Sequence, residues 1–139
     1  MATRVHAALG LFSEGDEGTR LLGSKCRGCG ASYFPRDSVC HNPECDDPFT
    51  QEVCFGPTGK IWSCAVQNYQ PPAPVVSEEP YQPYAVGMID LDDGLRVMGR
   101  IDVQDPMSVV VGGAVTLVTG RIGADAEGND VITWMFRPI

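Results

Sequence analysis

Basic residues are scarce in this sequence: ten Lys plus Arg stand against eighteen Asp plus Glu, giving a net charge of −8. The shortage is uneven. Through Lys60 there are six basic and eight acidic residues, and from Ile61 onward four against ten. Nucleic-acid affinity comes mainly from Lys and Arg neutralising phosphates, so the second half would be repelled by a phosphate backbone. Long apolar runs are missing too, and none approaches the roughly 18 residues a membrane span needs. The opening MATRVHAALGLFSEGDEG lacks the charged-then-apolar pattern of a secretory signal, and acids follow its short apolar stretch at once. These absences predict a cytoplasmic protein with neither a membrane nor a nucleic acid as partner. Histidine is nearly absent as well. His6 and His41 are the only two, and neither stands beside a Ser or Cys in a recognisable nucleophile motif. No Gly-rich phosphate loop occurs, so no catalytic constellation emerges.

Turn formers are plentiful. Sixteen Gly and eleven Pro among 139 residues favour turns over long helices and exclude a helical bundle. With 43% hydrophobic and 20% charged residues, the chain should nevertheless fold.

The six cysteines matter through their spacing. Cys26 and Cys29 form C-x-x-C within KCRGCG, and Cys40 and Cys45 follow in VCHNPECDD. Cysteine pairs on two short loops build a zinc ribbon, because Zn²⁺ takes four soft or borderline ligands in a tetrahedron. Gly28 and Gly30 would let the backbone bend so that its amides point at the thiolates. The intervening ASYFPRDSV is long enough for a short strand out and back. The predicted ligands are Cys26, Cys29, Cys40 and Cys45. His41 is a possible substitute, but adjacent side chains rarely reach one metal, so Cys45 is preferred. His6 reads as a plain surface residue. An iron site of the rubredoxin type uses the same ligands. Disulfides need an oxidising compartment, and a redox C-x-x-C needs a βαβ context that is not visible. Four protein ligands make a closed site, which is structural and leaves no position for substrate. Cys54 and Cys64 lack a partner at ligand spacing and read as small core residues.

From Gly59 the pattern becomes alternating. Leu95, Val97, Ile101 and Val103 share one face of a strand, with Arg96, Arg100 and Asp102 on the other. Tyr84–Leu91 reads as its hairpin partner across Asp92-Asp93-Gly94, with Gly94 at positive φ. Val115–Ile122 and Val131–Phe136 pair across GADAEGN, and Lys60–Tyr69 supplies a fifth strand. Five strands with a longer irregular stretch between the third and fourth suggest a closed OB-fold barrel, with a small β-sandwich as the alternative. Gly87 and Gly99 suit a tightly curved barrel. Trp62 and Trp134 read as core or barrel-end residues. The expected organisation is an N-terminal segment (1–18), a rubredoxin-like zinc ribbon (19–58) and an OB-fold domain (59–139), mainly β throughout. The Pro-rich stretch from Tyr69 to Tyr84 reads as a surface connector, or as a stiff docking arm with Tyr69, Tyr81 and Tyr84 as anchors.

LLGSKCRGCGASYFPRDSVC followed by GPTGKIWSCAVQNY resembles the zinc-ribbon/OB-fold proteins associated with acyl-CoA enzymes, over nearly the whole chain from about Thr19. KCRGCG with SYFPR, and GKIWSCAV at the ribbon-to-barrel junction, are the most specific pieces. HNPE between Cys40 and Cys45 is wider than that family's common second pair. The resemblance implies a small subunit, without catalytic residues of its own, of a hetero-oligomer with a thiolase-fold protein. It implies a structural Zn²⁺, and coenzyme A arriving as part of the substrate. Among the branches, the chain is most similar in overall look to the benzoylsuccinyl-CoA thiolase type of toluene degradation. Subunits of steroid aldolases or hydratases, hydroxymethylglutaryl-CoA synthases and phloroglucinol acyltransferases are the relatives to weigh against it. The competing classes are a nucleic-acid-binding OB module, which the acidity disfavours, and an independent enzyme using Cys54 or Cys64, for which no adjacent base is apparent.

Overall fold

The computed structural model describes residues 3–139. Among them the strands are β1 (Arg4–His6), β2 (Phe12–Gly15), β3 (Gly18–Cys26), β4 (Ser32–Tyr33), β5 (Thr50–Phe55), β6 (Thr58–Gln67), β7 (Tyr84–Leu91), β8 (Arg96–Ile101), β9 (Ala114–Ala124) and β10 (Asp130–Pro138). A single 3-10 turn, Pro106–Ser108, lies in the long β8–β9 connection. No helix among the described residues is long and apolar enough to cross a membrane.

The barrel forms as the alternation predicts. β6, β7 and β8 pair antiparallel in sequence, β8 runs parallel to β10, β10 pairs with β9, and β9 returns to β6. That circuit is a closed five-stranded OB-fold barrel, and closure leaves no long open edge. Ala85, Ile89, Val97, Ile101, Val115 and Phe136 fill its interior. Gly94 takes φ 97° in the β7–β8 turn, as its sequence position requires. The predicted strand glycines answer to close approach. Gly87 faces Gly99 across β7 and β8. A Cβ on Gly99 would stand 2.7 Å from the Phe136 ring, and one on Gly87 would stand 2.8 Å from Ile101 Cδ1.

β3 is the centre of the ribbon sheet, flanked by β2 and β4 on one side and β5 on the other. Its apolar side chains do not form a separate core. Phe12, Leu21 and Phe55 belong to the same buried cluster as the barrel interior. Trp134 sits at the seam, edge-on to Phe12 at 5.9 Å and to Phe34 at 5.4 Å, and its Nε1 donates to the Met98 carbonyl at 3.2 Å. Each such edge-to-face pair contributes about 0.5–1.5 kcal/mol beyond area burial. The β7–β8 turn clamps the crossing from ribbon to barrel. Gly56 N–H donates to Asp93 Oδ2 at 3.0 Å, and the Thr58 hydroxyl donates to Asp92 Oδ2 at 2.6 Å.

Trp62 departs from expectation. It is 54% exposed on the outside of the barrel, at a register shift between Ile61 and Ser63, with the Arg96 guanidinium 4.0 Å above its ring. The extra residue of the bulge turns the indole away from the core. The Pro-rich stretch has no helix or strand, but it does not stand free as an arm. Val76 packs on Ile122, Val131 and Met135, Glu78 pairs with Arg121, and the Tyr81 hydroxyl donates to the Gln67 carbonyl at 2.6 Å. Tyr81 and Tyr84 are therefore held by this chain's own barrel, and Tyr69, at 84% exposure, is the one predicted anchor left outward.

Glu14 ties three strands together. Its carboxylate accepts from Arg4 at 2.8 Å on β1 and from Thr119 at 2.7 Å on β9, and lies 3.1 Å from His6 Nε2. The Arg4 hydrogen bond, helped by Thr119 and His6, holds its pKa near 2.

Two outcomes follow from this packing. Gly99→Ala should cost about 1–3 kcal/mol by overpacking. Gly15→Ala should be near neutral, because nothing lies within 4 Å of its Cβ position. Equal urea midpoints for the two variants would refute this account. The depressed Glu14 carboxyl stabilises the fold fully above about pH 4.5 and loses that contribution as pH falls towards 2. Glu14→Gln should therefore cost on the order of 1 kcal/mol at pH 7, after allowance for partial exposure, and little at pH 2. Urea titrations at the two pH values check the difference.

Candidate metal centre

β3 delivers Cys26 at its C-terminal end, and the chain turns back at once. Gly30 N–H donates to the Cys26 carbonyl at 3.1 Å, with Gly30 at φ 78°. Cys40 is positioned by the isolated bridge between Val39 and Phe49 and by its N–H on the Pro48 carbonyl at 2.6 Å. The wide HNPE spacer is a knuckle in its own right. Asn42 Oδ1 accepts from Glu44 N–H at 3.1 Å, and the Asn42 carbonyl accepts from Cys45 N–H at 3.1 Å. The strand expected out and back between Cys29 and Cys40 is reduced to β4 and that bridge.

The two knuckles bring four sulfurs together. The Sγ atoms of Cys26, Cys29, Cys40 and Cys45 all lie within 4.8 Å of one another, with Cys26–Cys45 at 3.5 Å and Cys29–Cys40 at 3.6 Å. Tetrahedral ligands at a Zn–S length of about 2.3 Å stand roughly 3.8 Å apart. A disulfide needs about 2.05 Å. The spacing therefore fits a shared cation and not a pair of bridges.

The surroundings fit a cation as well. Gly28 N–H donates to Cys26 Sγ at 3.3 Å and Asn42 N–H donates to Cys40 Sγ at 3.4 Å, the bonds that thiolates accept. A Cβ on Gly28 would lie 2.8 Å from Cys45 Sγ, so only glycine fits there. Backbone N–H groups of Cys29 and Gly28 draw the Cys26 pKa down, while burial and the neighbouring Cys26 push Cys45 up. Thiols this close do not all ionise without a compensating positive charge. From Cys26 to Asp47 the only buried residues are Cys26 and Cys40, so this end of the ribbon has no apolar core.

Sequence reasoning missed three neighbours. The Tyr33 hydroxyl lies 3.2 Å from Cys40 Sγ and accepts from His41 N–H at 2.9 Å. The Asp47 carbonyl lies 3.3 Å from both Cys26 and Cys45 Sγ. Asn42 shapes the second knuckle. Tyr33 belongs to the quoted SYFPR, but nothing in its spacing assigned it to sulfur. His41 is turned to the Asp37 carboxylate at 2.5 Å, so its imidazole is engaged away from the sulfurs. His6 is stacked on Phe12 with ring centroids 4.1 Å apart.

Cys54 and Cys64 correct an expectation: both are exposed, not core residues. Cys54 points away from the shared core on β5, whose other face buries Phe55. Cys64 follows the bulge that also turns Trp62 outward.

Known proteins combine the same parts in the same order. Residues 17–49 match the family described as ChsH2, rubredoxin-like zinc ribbon domain, and residues 52–120 match ChsH2, C-terminal OB-fold domain. A DUF35 domain-containing scaffold protein of Methanocaldococcus jannaschii is 32% identical, over 86% of this chain and 82% of its own length. The benzoylsuccinyl-CoA thiolase subunit BbsA of Thauera aromatica is 29% identical, over 86% of this chain and 76% of its own. The solved Ltp2-ChsH2(DUF35) aldolase is similar with a TM-score of 0.60 and 27% identity, over 86% of this chain and 84% of that one. The zinc-ribbon match and the four-cysteine cluster together support zinc binding, and the chain belongs to the DUF35 scaffold family, built as a ChsH2-type zinc ribbon followed by an OB-fold barrel.

Proposed function

We propose that this chain is the non-catalytic, zinc-binding accessory subunit of a heteromeric thiolase-like enzyme acting on acyl-CoA thioesters. The carrying observation is similarity over 86% of the chain, ribbon and barrel together, to proteins named as a thiolase subunit and as the DUF35 component of an aldolase. In this reading Cys26, Cys29, Cys40 and Cys45 hold one structural zinc. Coenzyme A enters as part of the substrate, and the attacking thiol belongs to the thiolase-fold partner. The specific reaction is thiolysis of an aromatic β-ketoacyl-CoA such as benzoylsuccinyl-CoA, which the likeness to BbsA supports. An aldol cleavage by the partner is the second reading, favoured by the solved aldolase.

What the chain's own residues contribute is rigidity. A bound zinc would supply the positive charge that lets four thiolates coexist, and so would close the core-less end of the ribbon. The Gly28 and Asn42 amides would then stabilise the sulfurs' charge, and the shared apolar core would hold the ribbon fixed on the barrel.

Metal analysis of the pure protein should find one equivalent of zinc. Cys26→Ser should release it and unfold the distal ribbon, because metal binding there is folding free energy. A protein free of both zinc and iron, or a Cys26→Ser variant with unchanged metal and melting, would sink the zinc assignment. Iron in place of zinc would keep the four ligands and change the ion.

The isolated chain should show no thiolysis, and activity should appear on co-expression with a thiolase-fold subunit. Cys54→Ala should retain that activity. Thiolysis by the isolated chain, or lost chemistry in an intact Cys54→Ala complex, would favour an independent enzyme instead. Cleavage of a β-hydroxyacyl-CoA without thiolysis would favour the aldolase reading.

A further inference from the structure

The outer face of β6, β7 and β8 carries an apolar strip. Ser63, Met88 and Met98 lie side by side across the three strands, and Ala65, Val86 and Arg100 form the next row. Ala85, Ile89 and Leu91 of β7 point into the core, so Val86 and Met88 face outward. Met98 is 61% exposed. Two shallow grooves share Val86 and Met98. One, of about 170 Å³, continues to Cys64 and Met88, and the other, of about 330 Å³, continues to Tyr84, Arg100 and Trp134.

Among the barrel's arginines, Arg100 differs from the rest, including Arg96 on this same face. From Ile61 onward there are four arginines. Arg96 bonds Asp90, Arg121 bonds Asp130, and Arg137 bonds Asp102. Arg100 makes no ion pair among the described residues. Its guanidinium lies 3.5 Å from the centre of the Tyr84 ring, and burial lowers its pKa. Tyr84 and the more distant Glu78 offset only part of that withdrawal from water, and Glu78 is itself paired with Arg121. A planar fork pre-positioned on an aromatic ring suits a carboxylate, and the adjacent thioethers of exposed Met98 and half-buried Met88 adapt to apolar side chains.

We propose that this face docks the partner subunit, with Arg100 bonding a carboxylate of that partner and Met88 and Met98 covering its apolar side chains. The assignment rests on the heteromeric reading above. It moves the interface from the Pro-rich stretch, which is engaged with its own barrel, to the exposed sheet.

The test is co-purification of the full chain with its co-expressed thiolase-fold subunit, together with Arg100→Glu, Met98→Glu and the hairpin-tip control Glu127→Lys. Arg100→Glu and Met98→Glu should each weaken association at least about tenfold, by charge reversal and by a charge forced into an apolar contact. Glu127→Lys should bind as the parent does. Met98→Glu keeps the test open if Arg100→Glu does not fold. In a Cys54→Ser background, maleimide labelling of Cys64 should slow at least about tenfold in the complex, as contact excludes reagent and water. Parent-like binding by both variants with unchanged Cys64 labelling overturns the docking face alone. Failure of the parent chain to associate overturns the heteromeric reading and the docking face with it. Self-association lost on Met98→Glu assigns the face to a second copy, and coenzyme A binding by the isolated chain lost on Arg100→Glu assigns it to ligand. Either result overturns the proposal.

Discussion

The far end of the ribbon has backbone bonds and a sulfur cluster but no apolar core. Between Cys26 and Asp47 no aliphatic or aromatic side chain is fully buried, while ordering a residue costs about 1–2 kcal/mol in backbone entropy. Two knuckles, one shaped by Gly28 and Gly30 and one by Asn42, converge on four thiol groups instead. With no apolar core between them, the two knuckles meet chiefly at those sulfurs. That convergence explains why only glycine fits at Gly28 and why a hydroxyl, Tyr33, is spent on a sulfur.

The near end of the ribbon solves the same problem differently. Leu21 and Phe55 are buried with Val115, Leu117 and Phe136 in one apolar cluster. Trp134 fills the seam between Phe12 and Phe34, Glu14 joins β1, β2 and β9, and Asp92 and Asp93 grip the crossing chain. A seam made of core packing, edge-to-face aromatics and hydrogen-bonded acids does not hinge easily, since motion there would expose apolar surface. The molecule is thus a ribbon whose tip gathers four sulfurs and whose base is set by the barrel core. Such a body suits a scaffold that must present a fixed surface.

Most of the architecture was legible because it follows from periods and spacings. The alternation over Leu95–Val103, the Asp-Asp-Gly turn and the two cysteine pairs each carry a direct geometric meaning, and the closed barrel and sulfur cluster followed from them. What escaped depended on events that leave no period in the sequence. One extra residue between Ile61 and Ser63 turned Trp62 from core to solvent and left Cys64 exposed. The prolines between Tyr69 and Tyr84 signalled stiffness correctly, but stiffness does not say what a segment rests on. Val76, Glu78 and Tyr81 hold it to the barrel through single contacts. Tyr33 and Asp47 reach the sulfurs only because β4 and the second knuckle fold back on β3.

The charge distribution gives the last constraint. An acidic protein gains little from pairing acids with its few arginines on an exposed surface, where such pairs are worth about 1 kcal/mol or less. Their value here is positional. Arg121 fastens the Pro-rich segment through Glu78, Arg137 fastens the end of β10 to Asp102, and Arg96, bonded to Asp90, lies over the ring of the outward Trp62. Each of these cations is satisfied within the fold. Arg100 is positioned on the Tyr84 ring, in a groove it shares with Val86 and Met98. Of the four arginines on the barrel half it is the one without an ion pair among the described residues, so the fold itself gives its charge no fixed counter-ion.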